Sequence, residues 1–220
     1  MTQRIVLATG NRGKVKEMAA ILAPFGFEVV PQSEFDVPEA DETGLSFVEN
    51  AIIKARNAAL HTGLPAIADD SGLEVDHLRG APGIYSARFA GPDASDADNV
   101  AKLLADLKVV PDSERTARFQ CLMVFMAHDR DPTPIICQGT WEGIILHAPR
   151  GEGGFGYDPV FYVPTHDCAS AELSAEVKNE LSHRGQALRQ LAEALKNNVG
   201  WAPPTLTGTS APAVGNAHPT

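Results

Sequence analysis

Asp69 and Asp70 are adjacent carboxylates behind a short apolar run, Ala66-Ile67-Ala68, and ahead of Ser71-Gly72. A carboxylate at the end of a buried strand can take a proton from water or help to hold a divalent cation. Side chains alternate along a strand, so the two are expected to point opposite ways rather than to form one clamp. One should face a site and the other a structural partner. Asp, Ser and Gly are also common turn residues, and read alone the segment is most simply a polar turn that closes the strand.

Three other segments could serve the same site. Thr9-Gly10-Asn11-Arg12-Gly13-Lys14 lies between an apolar run, Ile5–Ala8, and a helix-forming stretch, Val15–Leu22. Strand, glycine turn and helix aim backbone N–H groups and a helix dipole at a phosphate, and Lys14 adds a point charge. The glycine spacing is too short for a Walker A loop, and Val15 stands where Ser or Thr would hold magnesium. A plain strand–helix turn is the alternative. Lys178 and His183-Arg184 form a basic cluster in a helical region, apt for a phosphate or a purine keto oxygen, or else for a helix terminus. Gly151–Gly156 matches the letters G-x-G-x-x-G, but β-like Val160–Val163 follows where a dinucleotide site needs a helix. A loop that brings backbone close to a ligand fits better, with Phe155 or Tyr157 for stacking and Asp158 as turn residue or contact.

The remaining elements must position these groups. Phe27–Val30 reads as a strand, and Glu34–Glu42 as an acidic loop that is either a solvated face or a source of metal-binding carboxylates. Leu45–His61 reads as a helix with Leu45, Val48, Ile52, Ala55 and Ala59 on its apolar face and Lys54 and Arg56 off it. Leu73–Asp76 resumes a strand, and Arg79–Gly91, with Tyr85, Ser86, Arg88 and Phe89, reads as an irregular ligand wall. A helix over Asp96–Leu107 precedes a hairpin of Thr116–Ala127 with Pro134–Leu146, in which Gly139 and Gly143 should mark bulges or bends. Ala171–Asn197 is helical with a break near Ser182–Gly185. Residues 198–220, rich in Pro, Gly, Ala and Thr, are expected to form a disordered tail behind one domain of residues 1–197.

The bulk composition narrows the function. The chain has 220 residues, 44% of them hydrophobic, enough for one sizeable core in one domain or two joined lobes. Its net charge of −10 argues against polymeric nucleic acid and leaves room for a small anion held by a local cluster of donors. Three cysteines without metal-like spacing fit a reducing compartment. No stretch has the length and apolarity of a membrane span, so a cytoplasmic protein is expected.

Six motifs in order resemble the inosine/xanthosine triphosphate pyrophosphatase family: Thr9–Lys14, Glu42–Phe47, Ala68–Gly72, Gly80–Arg88, Gly153–Pro159 and Ser182–Gly185. The resemblance runs from Ile5 to Leu195. It implies hydrolysis of ITP, dITP and XTP to the monophosphate and pyrophosphate, magnesium as cofactor, and a homodimer. It also implies an elongated, ITPase-like α/β fold, a mixed sheet with flanking helices and two lobes around a central nucleotide cleft. By motif match, Thr9, Gly10, Asn11, Arg12, Gly13 and Lys14 bind phosphates, and Lys54, Ser71 and Arg88 touch the nucleotide. Asp70 is the general base and a metal ligand, and Glu42 the second metal carboxylate. Phe155, Gly156, Tyr157, Asp158, Lys178, His183 and Arg184 take the base. A related pyrophosphatase for modified pyrimidines and a nucleotide sensor without turnover are the competing readings.

Overall fold

In the computed structural model, which describes residues 3–10 and 12–197, the apolar run Ile5-Val6-Leu7 forms the buried end of β1 (Gln3–Leu7). Seven strands make one mixed sheet in the order β2-β1-β3-β4-β5-β6-β7. β2 (Phe27–Pro31) and β3 (Ala66–Val75) run parallel to β1, reached through the helices α1 (Arg12–Leu22) and α2 (Phe47–Thr62). β4 (Thr116–Met126), β5 (Ile135–Ile145), β6 (Phe161–Val163) and β7 (Cys168–Ala169) continue the sheet antiparallel. This is the expected mixed sheet with flanking helices. The expected tail lies outside the described residues. Among those described, no helix is long and apolar enough to cross a membrane.

The core falls into three groups arranged along the long strands. On one face, α1 and α5 (His183–Asn197) cover Ile5, Leu7, Ile67 and Met123. On the other, α2 covers Val6, Ala66, Ala68 and Val124. The third group joins α3 (Asp96–Asp106) to Leu73, Phe119, Trp141 and Phe161. β3, β4 and β5 contribute to more than one group, so they tie the groups together.

α2 starts two residues later than its apolar pattern suggests. Ser46 caps it, accepting from the Glu49 N–H, while Glu49 accepts from the Ser46 hydroxyl and the Leu45 N–H. Leu45 therefore lies outside the helix and is 85% exposed. The buried face is Phe47, Ala51, Ala55, Ala58 and Ala59, not the larger Val48 and Ile52. Alanines keep the axis of α2 close to the sheet, which puts Asn50 and Lys54 within reach of a strand side chain.

The expected turn at Ser71-Gly72 is absent. β3 runs unbroken through it, paired with β4 from Ala66–Met126 to Val75–Ala117. Gly72 instead admits a neighbour: a Cβ there would collide with the Gly83 carbonyl oxygen and the Ser86 hydroxyl. Gly139 and Gly143 likewise mark no bulge, since both keep their ladder partners, Cys121 and Ala117. A Cβ at Gly143 would strike the Phe161 ring, and one at Gly139 would fall on the His183 carbonyl at the start of α5.

β1 pairs with β3 at Val6–Ala66 and Leu7–Ile67 and then leaves it. Past Ile67 that edge of β3 borders helix and loop segments. The Leu73 N–H donates to the Ser86 hydroxyl, in a 3-10 segment over Gly83–Arg88. Asp69, Asp70 and Ser71 sit where the parallel half of the sheet ends, at the carboxyl end of β1, the usual place for a ligand in such sheets. Gly139→Ala should destabilise the fold by about 2 kcal/mol or more, because α5 must lift off β5. Urea unfolding should show a lower midpoint; an unchanged midpoint would refute the close approach.

Candidate active site

Asp69 and Asp70 point to opposite faces of β3, as their alternation requires, and each meets its own cations. Asp69 is 4% exposed. Its carboxylate accepts from the Lys14 ammonium at 2.7 and 3.0 Å, and Arg184 Nε lies 3.7 Å away. Burial alone would push its carboxyl up, but Lys14 and Arg184 outweigh that and hold it far below the usual carboxylate range. Lys14 comes from the first turn of α1 and Arg184 from the first turn of α5, so this one carboxylate ties both helices to β3.

Asp70 faces α2. Its Oδ1 accepts from Lys54 Nζ at 3.0 Å and its Oδ2 from Asn50 Nδ2 at 3.3 Å. Lys54 also lies 3.4 Å from Glu42 Oε1. Burial pushes the Asp70 carboxyl above the ordinary carboxylate value, and Glu42 adds to the rise, against the pull of Lys54 and Asn50. Asp70 is thus a stronger proton acceptor than an exposed aspartate. Asn50 has no place in the motifs read from sequence. The available signal was its spacing: it precedes Lys54 by four residues, alongside the alanine face of the helix.

Two cavities flank this segment, one touching Asp69 and the other Ser71, and Asp70 itself lines neither. One, of 210 Å³, is lined by Thr9, Gly10, Lys14, Glu42, Lys54 and Asp69. The N-terminus of α1 borders it, and Gly13 is exposed in that first turn. Asn11 lies outside the described residues, and Arg12 is the first residue of α1. The other cavity, of 530 Å³, is lined by Ser71, Phe155, Gly156, Tyr157, Asp158, Lys178, His183 and Arg184. Its volume falls in the range of small-ligand sites. A larger cavity of 740 Å³ is walled by Phe25, Phe27, Phe125 and Leu195 and lacks such converging charges, so the chemistry points to the other two.

The second cavity sorts its aromatic and charged groups. Phe155 is 61% exposed, with Lys178 Nζ 5.0 Å and Arg184 Cζ 5.6 Å from its ring centroid. Tyr157, the other expected stacking ring, is buried, and its hydroxyl donates to the Ser86 carbonyl. Asp158 is buried too; it accepts from the Phe155 N–H, the Ser170 hydroxyl and the Lys178 ammonium. It thereby fixes the glycine loop, and Ser170, which carried no sequence signal, supports it. His183 stacks on Phe119, centroids 4.8 Å apart and planes 12° from parallel, and its Nδ1 is buried without a hydrogen bond. Arg88 lines neither cavity: it is exposed, its Cζ 5.1 Å from the Tyr85 ring centroid.

Glu42 and Asp70 converge on one positive centre, the Lys54 ammonium. That donor set suits a hard divalent cation whose remaining ligands are phosphate oxygens. Among the described residues, no group of three or more His, Cys, Asp or Glu could hold a metal by itself.

The model of the Ham1 family matches residues 5–194. A dITP/XTP pyrophosphatase of Photobacterium profundum is 66% identical over 194 residues, 88% of this chain and 98% of that protein. One of Escherichia coli O157:H7 is 59% identical over 195 residues, 89% of this chain and 99% of that protein. Among solved structures, a HAM1 protein from Coxiella burnetii superposes with a TM-score of 0.86 at 52% identity, covering 89% of this chain and all of that one.

The buried imidazole has a measurable signature. Burial, with Arg184 and Lys178 adding to it, holds His183 down to about 3 from 6.5. Its contribution to stability is complete above the unfolded value of 6.5 and is lost as pH falls toward about 3. Below pH 6.5, wild-type stability should fall more steeply than that of His183→Gln, by up to about 1.4 kcal/mol per pH unit. Urea midpoints measured against pH check this; parallel curves would rule it out.

Proposed function

The chain belongs to the Ham1 family, and we propose that it hydrolyses the non-canonical purine triphosphates ITP, dITP and XTP to the monophosphate and pyrophosphate. The observation that carries the reading is that Asp69–Ser71 lies between a cation-lined cavity and one with an exposed aromatic ring and Arg184. The smaller cavity suits a triphosphate and the larger a purine.

Asp70 acts as the general base, its raised proton affinity matched to removing a proton from the attacking water. Lys14, Lys54 and the N-terminus of α1 receive the phosphates and stabilise charge on the departing pyrophosphate. Glu42 and Asp70 would hold magnesium, which when bound offsets triphosphate charge and polarises the attacked phosphorus. Phe155 offers its face to the base, and Arg184, held by Asp69 and 3.4 Å from the Ser71 hydroxyl, donates to a 6-keto oxygen. Asp158 holds the loop and Lys178 in place; Ser71, Gly156, Tyr157 and His183 complete the wall. Adenine presents an amino donor where Arg184 needs an acceptor, so ATP is a poor substrate.

Residues 1–197 form the catalytic domain in this reading. The net charge of −10 supports a free nucleotide rather than a nucleic-acid polymer as ligand. The free thiols Cys121, Cys137 and Cys168 support a cytoplasmic protein, and the family resemblance supports a homodimer.

Hydrolysis of ITP in ¹⁸O-water should place the label in IMP and release unlabelled pyrophosphate; IDP with labelled orthophosphate would overturn the reading. ATP should be slower in kcat/KM by about 10²-fold or more. Asp70→Asn should lower kcat by about 10²–10⁴-fold with KM little changed. Near-normal turnover in that variant would remove Asp70 from the role.

A further inference from the structure

Lys54 sits where two carboxylates would meet a metal ion. Its ammonium is 3.0 Å from Asp70 Oδ1 and 3.4 Å from Glu42 Oε1. The Lys54 and Asp70 side chains are only 17% and 14% exposed, so water screens their contact weakly. Asn50 occupies the second oxygen of Asp70, which leaves Oδ1, the atom Lys54 holds, as its better metal-binding position. A divalent cation approaching this pair must displace the ammonium or sit beside it against direct repulsion. The ammonium ends a flexible four-carbon stem and also lines the cavity that receives the phosphates, together with Lys14. It therefore has a second anionic partner within reach once a nucleotide arrives.

We propose that Lys54 is the resident counter-ion of the Glu42–Asp70 pair: it keeps the affinity of the free protein for divalent cations low until a polyphosphate draws its ammonium away. Metal and nucleotide then enter together, and a metal ion alone is a weak ligand. The proposal rests on the reading of the site given above. It assigns Lys54 two successive partners, carboxylates in the free protein and phosphate in the loaded one.

The test is titration of the full-length, nucleotide-free protein with Mn²⁺, followed by calorimetry and by the electron paramagnetic resonance signal of free Mn²⁺. Lys54→Met should bind Mn²⁺ about tenfold or more tightly than wild type, the scale of one charge–charge contact at a partly solvated site. Lys54→Arg, which keeps the positive charge, should bind as weakly as wild type. Lys54→Gln serves in place of the methionine variant if that one fails to fold, as judged by circular dichroism. The double variant Glu42→Gln/Lys54→Met should lose the gain. Equal Mn²⁺ affinity in wild type and the uncharged variants, or a gain that survives loss of the Glu42 charge, would overturn the proposal. No nucleotide enters these titrations, so their outcome is separate from the ITP product assay, which tests the hydrolytic reading by itself.

Discussion

A buried carboxylate survives as an anion only if cations and donors replace the water it has lost, and Asp69 imposes that condition on three distant parts of the chain. Lys14 is 55 residues before it and Arg184 lies in the last helix, yet both meet the same carboxylate. Removing either partner would leave charge uncompensated in a covered position, which is strongly unfavourable. The N-terminus of α1, the middle of β3 and the N-terminus of α5 are therefore held in register. Those segments also border both cavities.

Strand geometry gives the neighbouring carboxylate a different setting. Asp70 is one residue along and points the other way, toward α2, where burial raises its proton affinity, Glu42 adds to the rise, and Lys54 and Asn50 oppose it. Hydrogen bonding keeps the two sets apart, Lys14 on Asp69 and Lys54 on Asp70, although Lys54 and Asp69 line the same cavity and Lys54 also acts on Asp69 through space. The alanine-rich face of α2 matters here as much as the charges, since a bulkier face would hold Lys54 and Asn50 away from the strand.

Much of this was legible in the residues. The opposed carboxylates follow from alternation within one strand. The hairpin of β4 and β5 and the break before His183 follow from apolar periodicity and from turn residues. What stayed hidden depended on partners far away in sequence. Ser71-Gly72 has the composition of a turn, but ten consecutive pairings with β4 keep it extended. Gly139 and Gly143 read as bends because a sequence does not reveal which neighbours press on a strand. Tyr157 and Phe155 are equivalent aromatic candidates until the fold buries one of them. Ser170 and Asn50 are ordinary polar residues whose roles exist only because Asp158 and Asp70 lie beside them.

The parting of β1 from β3 after Ile67 leaves a wedge in the sheet with β3 as its floor. The floor tolerates few substitutions, since Gly72 has no room for a Cβ and Asp69 is buried among its partners. Divergence of substrate choice among related chains should then concentrate in its two loop-built walls, the 83–88 segment and the 153–156 loop. The floor, built from β3 and its hydrogen-bonded neighbours, would be inherited nearly unaltered.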